Sequence, residues 1–430
     1  MISTKDIYKL FEKSKGICTD SREIFQGCIF FALKGDNFNG NRFAAEALEK
    51  GAVYSIVDEE EYIISDKTLL VKNVLETLQD LALMHRNKLG LPILAITGTN
   101  GKTTTKELVS AVLSKKFKVS FTQGNLNNHI GVPLTLLKMD TETEFGVVEM
   151  GANHPGEIAA LCSIADPDYG IITNIGKAHL EGFGSFDGVI KTKSELYHFI
   201  NKKGGTIFYH KNNPILDELS AKIPNKISYG NEQADFTGEL IDSPPFVHVK
   251  ANFQKGVLYL NTQLIGNFNF ENVMAAACIG NYFKVDPLLI QAAIKEYQPQ
   301  NIRSQLIVKG DLKIVMDAYN ANPTSTQASI KSFIDGFPGN QYLILGDMLE
   351  LGSYSQQEHK NILYLIKNYP AIQVFFIGPV FSEVAKTDQV NTFLNVTEFC
   401  EYLSNHKIGG GNVLIKGSRG IRLEKVLDFI

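Results

Sequence analysis

The chain has 430 residues, more than one hydrophobic core usually supports, and this length favours about three domains. Hydrophobic residues make up 44% and charged residues 20%, as in ordinary globular proteins, and the formal net charge of −4 gives no electrostatic reason to expect nucleic acid as a partner. No apolar stretch approaches the ~18 residues of a membrane span, and the first residues lack the apolar core of a signal peptide, so we expect a cytoplasmic protein without membrane insertion.

Residues 1–91 combine short apolar runs with helical patterns and are predicted to form the first domain. The apolar runs are CIFFAL (28–33) and VYSIV (53–57), and the helical pattern RFAAEALEKG lies between them. A second helical stretch, VLETLQDLALMHRNKL, stops near Gly90 and Pro92, residue types that end helices. We therefore place a domain boundary at this point.

Residues 92–298 alternate between strand and helix patterns and are predicted to form a central α/β domain. ILAIT is followed by a glycine loop and a helix, and further buried strands are predicted at FGVVEM, YGIITNI and GTIFY. Helical stretches between these strands imply a mostly parallel sheet with crossovers. VHVKANFQKGVLYLNTQLIG instead alternates around a turn at Lys255-Gly256, which predicts an antiparallel hairpin, and NFENVMAAACIGNYF predicts a helix.

Residues 299–430 are predicted to form a third, Rossmann-like domain. Four short apolar strands, LKIVMDA, QYLILGD, IQVFFIG and NVLIKG, are each followed by a helical pattern. The predicted fold class is therefore α/β throughout, with a central parallel sheet and a second Rossmann-like unit at the C-terminus.

The segment from Gly98 to Thr103 joins a predicted strand to a predicted helix and has the parts of a phosphate-binding loop. Glycines let the backbone approach an anion, the N–H groups at the helix start point at phosphate oxygens, and Lys102 adds a positive charge. Thr103 would supply a hydroxyl ligand to Mg²⁺. Ile96 stands five residues before Gly101, so the loop is one residue shorter than the common G-x-x-x-x-G-K-[ST] spacing. The alternative is a glycine turn with a solvated Lys102.

Other residues with metal or catalytic chemistry follow the predicted strands. Glu149 ends FGVVEM, where a nucleotide-binding sheet places the carboxylate that serves the metal, although an acid at a strand end can also be solvated or cap a helix. His179 follows YGIITNI, and Lys193 lies on the next helical stretch. Alone, each of these two residues is more often structural or solvated than functional.

The assembled blocks resemble the Mur ligase family of ATP-dependent amide-forming enzymes, whose loop has the shorter T-G-T-x-G-K-T form found at Thr97 to Thr103. The resemblance covers nearly the whole chain and implies a three-domain architecture. It rests on the following blocks: TDSREIFQGCIFFALKG, GNLNNHIGVPLTLL, VVEMGANHPGEI, AHLEGFGS, KSELY, GNFNFENVMAAA, DAYNANP, GDMLELG and KGSR.

Within the family, GNLNNHIGVPLTLL, GANHPGEI, DAYNANP and GDMLELG are similar to the member that adds D-alanyl-D-alanine to UDP-N-acetylmuramoyl-tripeptide. The resemblance implies an acyl-phosphate reaction with ATP and Mg²⁺ in peptidoglycan precursor synthesis. It also implies the two small-molecule substrates as partners, and we expect a monomer. The alternatives are a sister ligase that adds a single amino acid, a folate-type ligase, and a nucleotide-binding regulatory protein without turnover. The sequence leaves the third residue of the tripeptide open.

The resemblance also implies roles for individual residues of the nucleotide and metal sites. The implied catalytic residues are Lys102, His179 and Lys193. The implied metal ligands are Thr103, Glu149, His179 and, if it is carbamylated, Lys193. The implied nucleotide-binding residues are Thr97, Gly98, Thr99, Asn100, Gly101, Lys102, Thr103, Thr104, Asn269, Asn272, Arg303 and Asp317.

Substrate contacts are implied in all three domains. The first domain would hold the UDP end through Ser21 and Arg22. The muramoyl-peptide cleft would be lined by Asn127, Asn128, Asn153 and His154, whose alternative role is to stabilise loops through side-chain-to-backbone hydrogen bonds. The third domain would contact peptide carboxylates through Lys416, Ser418 and Arg419, for which a solvated strand end is the alternative.

Overall fold

The computed structural model describes residues 1–241, 244–299, 302–386 and 390–430. Gln300 and Asn301, at the predicted start of the third domain, lie outside the described residues. The described chain builds three main sheets, with four, nine and six strands in chain order, and a two-stranded ribbon. This is the predicted α/β class, with helices between the strands of each main sheet.

The N-terminal part forms a four-stranded parallel sheet in the order β1-β2-β5-β6, and β3 pairs with β4 in a separate ribbon. Its elements are α1 (Thr4–Phe11), β1 (Ile17–Cys18), β2 (Ile29–Phe31), β3 (Lys34–Gly35), β4 (Phe38–Asn39), a 3₁₀ helix (Gly40–Phe43), α2 (Ala44–Glu49), β5 (Tyr54–Val57), a 3₁₀ helix (Glu60–Tyr62), β6 (Thr68–Leu70) and α3 (Val74–Leu89). Helix α3 begins at the N-cap Asn73 and ends at Gly90, whose left-handed φ of 63° suits glycine.

The middle part is built on the nine-stranded sheet, in the order β15-β14-β13-β12-β11-β10-β7-β9-β8. Strands β7 to β13 pair in parallel, and β14 and β15 form the predicted antiparallel hairpin, with Phe253 opposite Gly256. Its elements are β7 (Ile93–Thr97), α4 (Lys102–Leu113), β8 (Val119–Phe121), α5 (Gly131–Leu137), β9 (Phe145–Glu149), α6 (Glu157–Ala165), β10 (Tyr169–Ile172), α7 (Leu180–Phe183), α8 (Phe186–Lys203), β11 (Thr206–His210), α9 (Pro214–Ser220), β12 (Lys226–Gly230), β13 (Phe236–Ile241), β14 (Phe246–Phe253), β15 (Gly256–Ile265), α10 (Asn269–Tyr282) and α11 (Pro287–Glu296).

The chain order of this sheet reverses at β7. Strands β8 and β9 lie on one side of β7, and β10, β11 and β12 lie on the other. Ligands of open α/β sheets bind beyond the carboxyl ends of the strands at such a reversal. The ends of β7, β9 and β10 therefore define where a ligand site is expected.

The C-terminal part forms the six-stranded sheet in the order β16-β17-β21-β18-β19-β20, parallel except for the antiparallel edge strand β16. Its elements are β16 (Gln305–Lys309), β17 (Leu312–Asp317), α12 (Pro323–Gly336), β18 (Gln341–Gly346), a 3₁₀ helix (Gly352–Tyr354), α13 (Ser355–Lys367), β19 (Gln373–Ile377), α14 (Pro379–Val384), β20 (Asn391–Phe393), α15 (Val396–Asn405), β21 (Gly411–Lys416) and 3₁₀ helices at Arg419–Ile421 and Leu423–Asp428. The carboxyl ends of β17 and β21 face the middle part.

Helix α3 attaches the N-terminal sheet to the middle part. It packs against α5 and α6 as well as α1, and one cluster of buried apolar side chains runs from Ile7 to Ile223. Buried Arg86 donates from Nη2 to the carbonyl of Asp166 (3.0 Å) and to Asp168 Oδ2 (2.8 Å). The ring of buried His85 bridges the Tyr8 hydroxyl (2.9 Å) and the Met139 carbonyl (2.8 Å).

A search of the described helices for a membrane-crossing segment finds none that is both long enough and apolar enough.

Candidate active site

The phosphate loop lies between β7 and α4, at the point where the sheet order reverses. Thr97 ends β7 and donates its buried hydroxyl to the Met150 carbonyl (2.8 Å), which fixes the loop to the neighbouring strand. Gly98 has φ 143°, and a Cβ there would lie 2.0 Å from the Thr173 hydroxyl. Only glycine therefore fits this position, both for its conformation and for space.

Residues that follow β10 hold the loop from its other side. The backbone N–H of Asn100 donates to Asn174 Oδ1 (2.9 Å), and the Thr173 hydroxyl donates to the Asn100 carbonyl (2.6 Å). Thr99 is tied to Gly176, whose N–H donates to the Thr99 hydroxyl (2.9 Å). The loop is thus held in shape by protein contacts, so that less ordering is required when an anion binds.

Lys102 is the first residue of α4 and turns back over the loop. Its Nζ donates to the carbonyls of Gly98 (2.7 Å) and Thr99 (3.1 Å). Burial lowers the pKa of Lys102 to about 8, Glu149 opposes this shift, and Arg303 adds to it. An anion in the loop would favour the charged ammonium and compete for its hydrogen bonds.

Helix α10 packs directly against the phosphate loop. Asn272 accepts from the Thr105 hydroxyl (3.0 Å) and donates to Asn269 Oδ1 (2.8 Å), while Asn269 donates to the Ile265 carbonyl (2.8 Å). A Cβ on Gly101 would lie 2.5 Å from Asn272 Oδ1. Both asparagines line the cavity, but their amides are already bonded within the protein, which gives them a role in holding the loop.

Glu149 ends β9 and presents a free oxygen beside the loop. Its Oε1 accepts from Asn127 Nδ2 (2.8 Å), whereas its buried Oε2 has no hydrogen-bond partner among the described residues. The nearest cation is buried Lys106, with Nζ 3.9 Å from Oε2. An unpartnered buried carboxylate oxygen is costly unless it gains a ligand, and a hard cation such as Mg²⁺ meets that need.

The potential ligands suit a metal ion whose coordination is completed by the substrate. The described residues contain no cluster of three or more His, Cys, Asp and Glu side chains that could hold a metal by themselves. Mg²⁺ is commonly bound through one or two carboxylates together with substrate phosphates. Glu149 and the hydroxyl of Thr103, both at the cavity wall, fit this pattern.

His179 and Lys193 lie on the segment that follows β10. His179 lines the cavity in a left-handed conformation (φ 49°), and its Nδ1 is 2.6 Å from Glu350 Oε2 of the C-terminal part. Lys193 is only 2% exposed, and burial first and Lys102 second lower its pKa to about 7. Its Nζ has no hydrogen-bond or ion-pair partner within the described part of the chain, and it lies 5.4 Å from the centroid of the Phe183 ring.

The C-terminal part supplies the opposite wall of the cavity. Asp317 Oδ2 accepts from the Ser329 hydroxyl (2.6 Å) and pairs with Lys416 Nζ (2.9 Å). Lys416 also donates to the Asn320 carbonyl (2.9 Å) and is 3% exposed, so the solvated alternative for this lysine is wrong. Asp317 is not the N-cap of α12, a position that Asn322 occupies.

These walls enclose one cavity of about 710 Å³. The predicted site residues that line it are Thr99, Asn100, Gly101, Lys102, Thr103, Thr104, Asn127, Asn128, Glu149, Asn153, His179, Asn269, Asn272, Arg303, Asp317 and Lys416. The structure therefore brings predicted nucleotide, metal and peptide residues to one place.

Several predicted residues lie away from this lining. Ser21 and Arg22 stand between β1 and β2, where exposed Arg22 pairs with Asp20 (2.6 Å). His154 is exposed, and its backbone N–H donates to the side chain of Glu157 (3.0 Å). Ser418 is buried and accepts from the Leu349 N–H (2.9 Å), so it holds a loop.

Sequence reasoning missed further residues of the cavity, among them Asn174, Asn322 and Tyr319, and one contact. Asn174 braces the loop, the Asn322 amide donates to Asn100 Oδ1 (2.8 Å), and the Tyr319 ring stacks against Arg303. The contact of Glu350 with His179 was also missed. Tyr319 and Asn322 lie within the quoted block DAYNANP, so that block contained a signal that was attributed to Asp317 alone.

The parallel strands present a phosphate loop where the sheet order reverses, together with a carboxylate that can bind a metal ion. These features define a P-loop nucleotide-dependent enzyme. Three family profiles match the chain: the Mur ligase catalytic domain over residues 13–93, the Mur ligase middle domain over 96–280, and the Mur ligase glutamate ligase domain over 302–419. The chain belongs to the Mur ligase family of ATP-dependent ligases.

Three individual proteins are similar to this chain over nearly its whole length. The "UDP-N-acetylmuramoyl-tripeptide--D-alanyl-D-alanine ligase" of Bacillus subtilis is 32% identical over 428 residues, covering 96% of this chain and 92% of the relative. A crystal structure of MurF from Acinetobacter baumannii superposes with a TM-score of 0.88 at 29% identity, covering 98% of this chain and 97% of the other. MurF ligase from Thermotoga maritima in complex with ADP gives a TM-score of 0.85 at 29% identity, with coverages of 98% and 97%.

Proposed function

We propose that this protein ligates D-alanyl-D-alanine to UDP-N-acetylmuramoyl-tripeptide with ATP, giving UDP-N-acetylmuramoyl-pentapeptide, ADP and phosphate. The reaction is a step of peptidoglycan precursor synthesis. The observation that carries this proposal is the single cavity in which the phosphate loop, Glu149 and the C-terminal wall meet. The activity names of relatives that align over nearly the whole chain support the choice of substrates.

The first chemical step moves the γ-phosphoryl group of ATP to the terminal carboxylate of the tripeptide. An acyl phosphate and ADP form, and the amine of D-alanyl-D-alanine then attacks the acyl carbon and releases phosphate through a tetrahedral intermediate. A carboxylate and a triphosphate repel each other, so the site must supply positive charge where the phosphoryl group passes. We assign this role to Lys102 of the loop and Arg303 of the opposite wall, both of which line the cavity.

Mg²⁺ fits the free oxygen of Glu149 and the hydroxyl of Thr103, and we assign both as its ligands together with His179. When bound, the ion neutralises charge on the phosphates and orients them for transfer. Asn127 holds Oε1 of Glu149 and so directs Oε2 toward the loop. We assign Thr97, Gly98, Thr99, Asn100, Thr104 and Asp317 to the nucleotide site.

Lys193 is proposed to be carbamylated. An amine with a pKa of about 7 is largely neutral at physiological pH, and a neutral amine can add CO₂ to give a carbamate with release of one proton. The product is a carboxylate, which can hold Mg²⁺ or orient its ligands, whereas an ammonium cannot. Incubation with ¹³CO₂ is expected to give a carbamate carbon signal in the wild type and in Lys191→Ala, a neighbouring exposed lysine, but not in Lys193→Ala.

Substrate contacts are divided between the domains, which we propose to be residues 1–91, 92–298 and 299–430. Ser21 and Arg22 would meet the UDP end, and Asn128 and Asn153 the peptide. Within the C-terminal part, exposed Arg419 is better placed for a peptide carboxylate than Lys416, which is paired with Asp317.

We also propose that the protein acts as a cytoplasmic monomer. The reaction consumes ATP, which is a cytoplasmic substrate. One chain supplies the loop, the metal-type carboxylate and the opposite wall of the cavity, so the chemistry needs no residue from a second copy.

Mass detection of UDP-pentapeptide tests the proposed function. Purified enzyme, UDP-tripeptide, D-alanyl-D-alanine and Mg-ATP are expected to give one pentapeptide for each ADP, and Lys102→Ala should lose at least ~100-fold in rate. Lys138→Ala, an exposed lysine after α5, serves as the matched control. Ligation of a free amino acid in place of the dipeptide would indicate the sister activity. Nucleotide binding without any product would indicate the regulatory alternative.

A further inference from the structure

Arg303 is held in place by an unusual stretch of backbone. Its neighbours Ile302 and Ser304 both have left-handed conformations, with φ 59° and 47°. This conformation costs a residue other than glycine about 1–2 kcal/mol, so local preference does not select it. The Ser304 N–H donates to Asp317 Oδ1 (3.3 Å), and Ile302 packs against the apolar core of the C-terminal part. Tertiary contacts on both sides therefore determine where Arg303 points.

The Tyr319 ring is the surface on which the Arg303 side chain rests. Tyr319 comes two residues after the end of β17, and the guanidinium carbon of Arg303 lies 3.7 Å from its ring centroid. That distance is van der Waals contact, as in stacking of a planar guanidinium on an aromatic face. The buried Nε of Arg303 has no hydrogen-bond partner among the residues that the structure describes. Stacking on the ring is thus the contact that orients this guanidinium.

Arg419 approaches the same ring. Its guanidinium carbon is 5.2 Å from the centroid of Tyr319, a residue of the cavity lining, and Arg419 lies three residues after the end of β21, outside that lining. Two guanidinium groups on one tyrosine repel each other, and this repulsion is relieved when anions bind to them. The proposed reaction brings two anionic groups together, a triphosphate and a peptide carboxylate.

We propose that Tyr319 is a positioning residue that holds Arg303 for the phosphates of ATP and Arg419 for a carboxylate of the peptide substrate. This inference rests on the proposed function, which supplies the two anions. Tyr319 itself need not touch either substrate. The phenol ring sets the distance between the two cations, so that both substrates are recognised from one platform on the C-terminal part.

Substitutions of Tyr319 that keep or remove its aromatic ring test this role. Tyr319→Phe keeps the aromatic face, whereas Tyr319→Leu keeps most of the volume and removes the face. Without the ring, Arg303 leaves its position, and a cost of about 1.4 kcal/mol to restore that position when the analogue binds corresponds to about tenfold weaker binding. We expect Tyr319→Leu to weaken binding of a non-hydrolysable ATP analogue about tenfold, and to raise the KM for UDP-tripeptide, while Tyr319→Phe stays within about twofold of the wild type.

Two further variants show whether the loss of affinity in Tyr319→Leu arises through Arg303. Arg303→Lys keeps the charge and loses the planar stack, so it should match Tyr319→Leu in binding of the ATP analogue. The double variant should then bind no more weakly than either single variant. Tyr364→Leu is the matched control, because it removes an exposed tyrosine of α13 that also has a cation, Lys367, 5.5 Å from its ring centroid.

The binding measurement requires no turnover, so its result is separate from that of the proposed function. Equal affinity of Tyr319→Leu and Tyr319→Phe for the ATP analogue would overturn the inference, as would additive losses in the double variant. If Tyr319→Leu does not fold, Arg303→Lys decides the question: wild-type affinity in that variant refutes the role of the stack. Absence of pentapeptide in the wild-type assay would instead refute the proposed function.

Discussion

Asn322 joins two structural roles that substitution can separate. Its Oδ1 accepts from the Ser325 N–H (2.9 Å) and caps α12, while its Nδ2 donates to Asn100 Oδ1 (2.8 Å) in the phosphate loop. Serine is as good an N-cap as asparagine but has no amide to reach the loop. Asn322→Ser should therefore keep the cap and lose only the link to Asn100, which lowers the free energy of unfolding by about 1 kcal/mol.

The expected change in nucleotide affinity follows from the single hydrogen bond between Asn322 and Asn100. A net contribution of about 1 kcal/mol corresponds to about fivefold weaker binding, if nucleotide binds the arrangement in which the link is formed. Calorimetric titration with ADP measures this change. Asn322→Ala should show the same weakening of binding and, in addition, lose about 1 kcal/mol of unfolding free energy through the missing cap.

A double-mutant cycle with Asn100→Ala checks the reasoning. The two changes should couple by about 1 kcal/mol in ADP binding, because each removes the same hydrogen bond. Wild-type ADP affinity in Asn322→Ser would refute the link between this bond and the nucleotide. Equal destabilisation in the serine and alanine variants would refute the capping role.

Three other predictions concern the loop and the junction between the first two sheets. Gly101→Ala introduces a side chain at a left-handed φ of 77° and places its Cβ 2.5 Å from Asn272 Oδ1. It should therefore lower the free energy of unfolding more than Gly90→Ala, a position with φ 63° and open space around it. Equal losses in urea unfolding would contradict this. Burial lowers the pKa of His85, so folding disfavours its protonated form. The folded state then loses stability as the pH falls below about 6.5, the unfolded value, and His85→Gln should show a smaller loss between pH 7.5 and 5.5 in urea titrations. Arg86→Met should cost about 2 kcal/mol of unfolding free energy, since it removes the hydrogen bonds of the guanidinium to the Asp166 carbonyl and Asp168, which are half-buried and keep Lys203 and Ile93 as donors. An unchanged free energy of unfolding in urea would contradict this.

Much of the fold could be predicted because its information is local. The runs FGVVEM and QYLILGD are apolar over the length of one strand, and both form buried parallel strands. The edge strand β16 was missed, since QLIVK is short, has a polar residue at each end and gains its pairing only from β17. Helix α1 was missed too, although its buried Ile7, Tyr8 and Phe11 lie at helical spacing.

The candidate site also has a part that the local sequence indicates and a part that it does not. The phosphate loop and Glu149 are set by a strand end and the residue types that follow it, so the sequence indicates them directly. The contacts of Asn272 with Thr105 and of His179 with Glu350 join residues 167 and 171 positions apart in the chain. No local pattern encodes such pairs. The roles assigned to these residues stay predictions.

The packing of α3 on α5 and α6 has a consequence for anyone who dissects the protein. A fragment that begins at residue 92 would carry α5 and α6 without their cover, and the apolar side chains that now meet Leu78, Leu81 and Ala82 would face water. Such a surface favours aggregation. An excised ATP-binding unit should therefore retain α3, and a cut near residue 73 is a better place to begin it than the apparent boundary at Gly90.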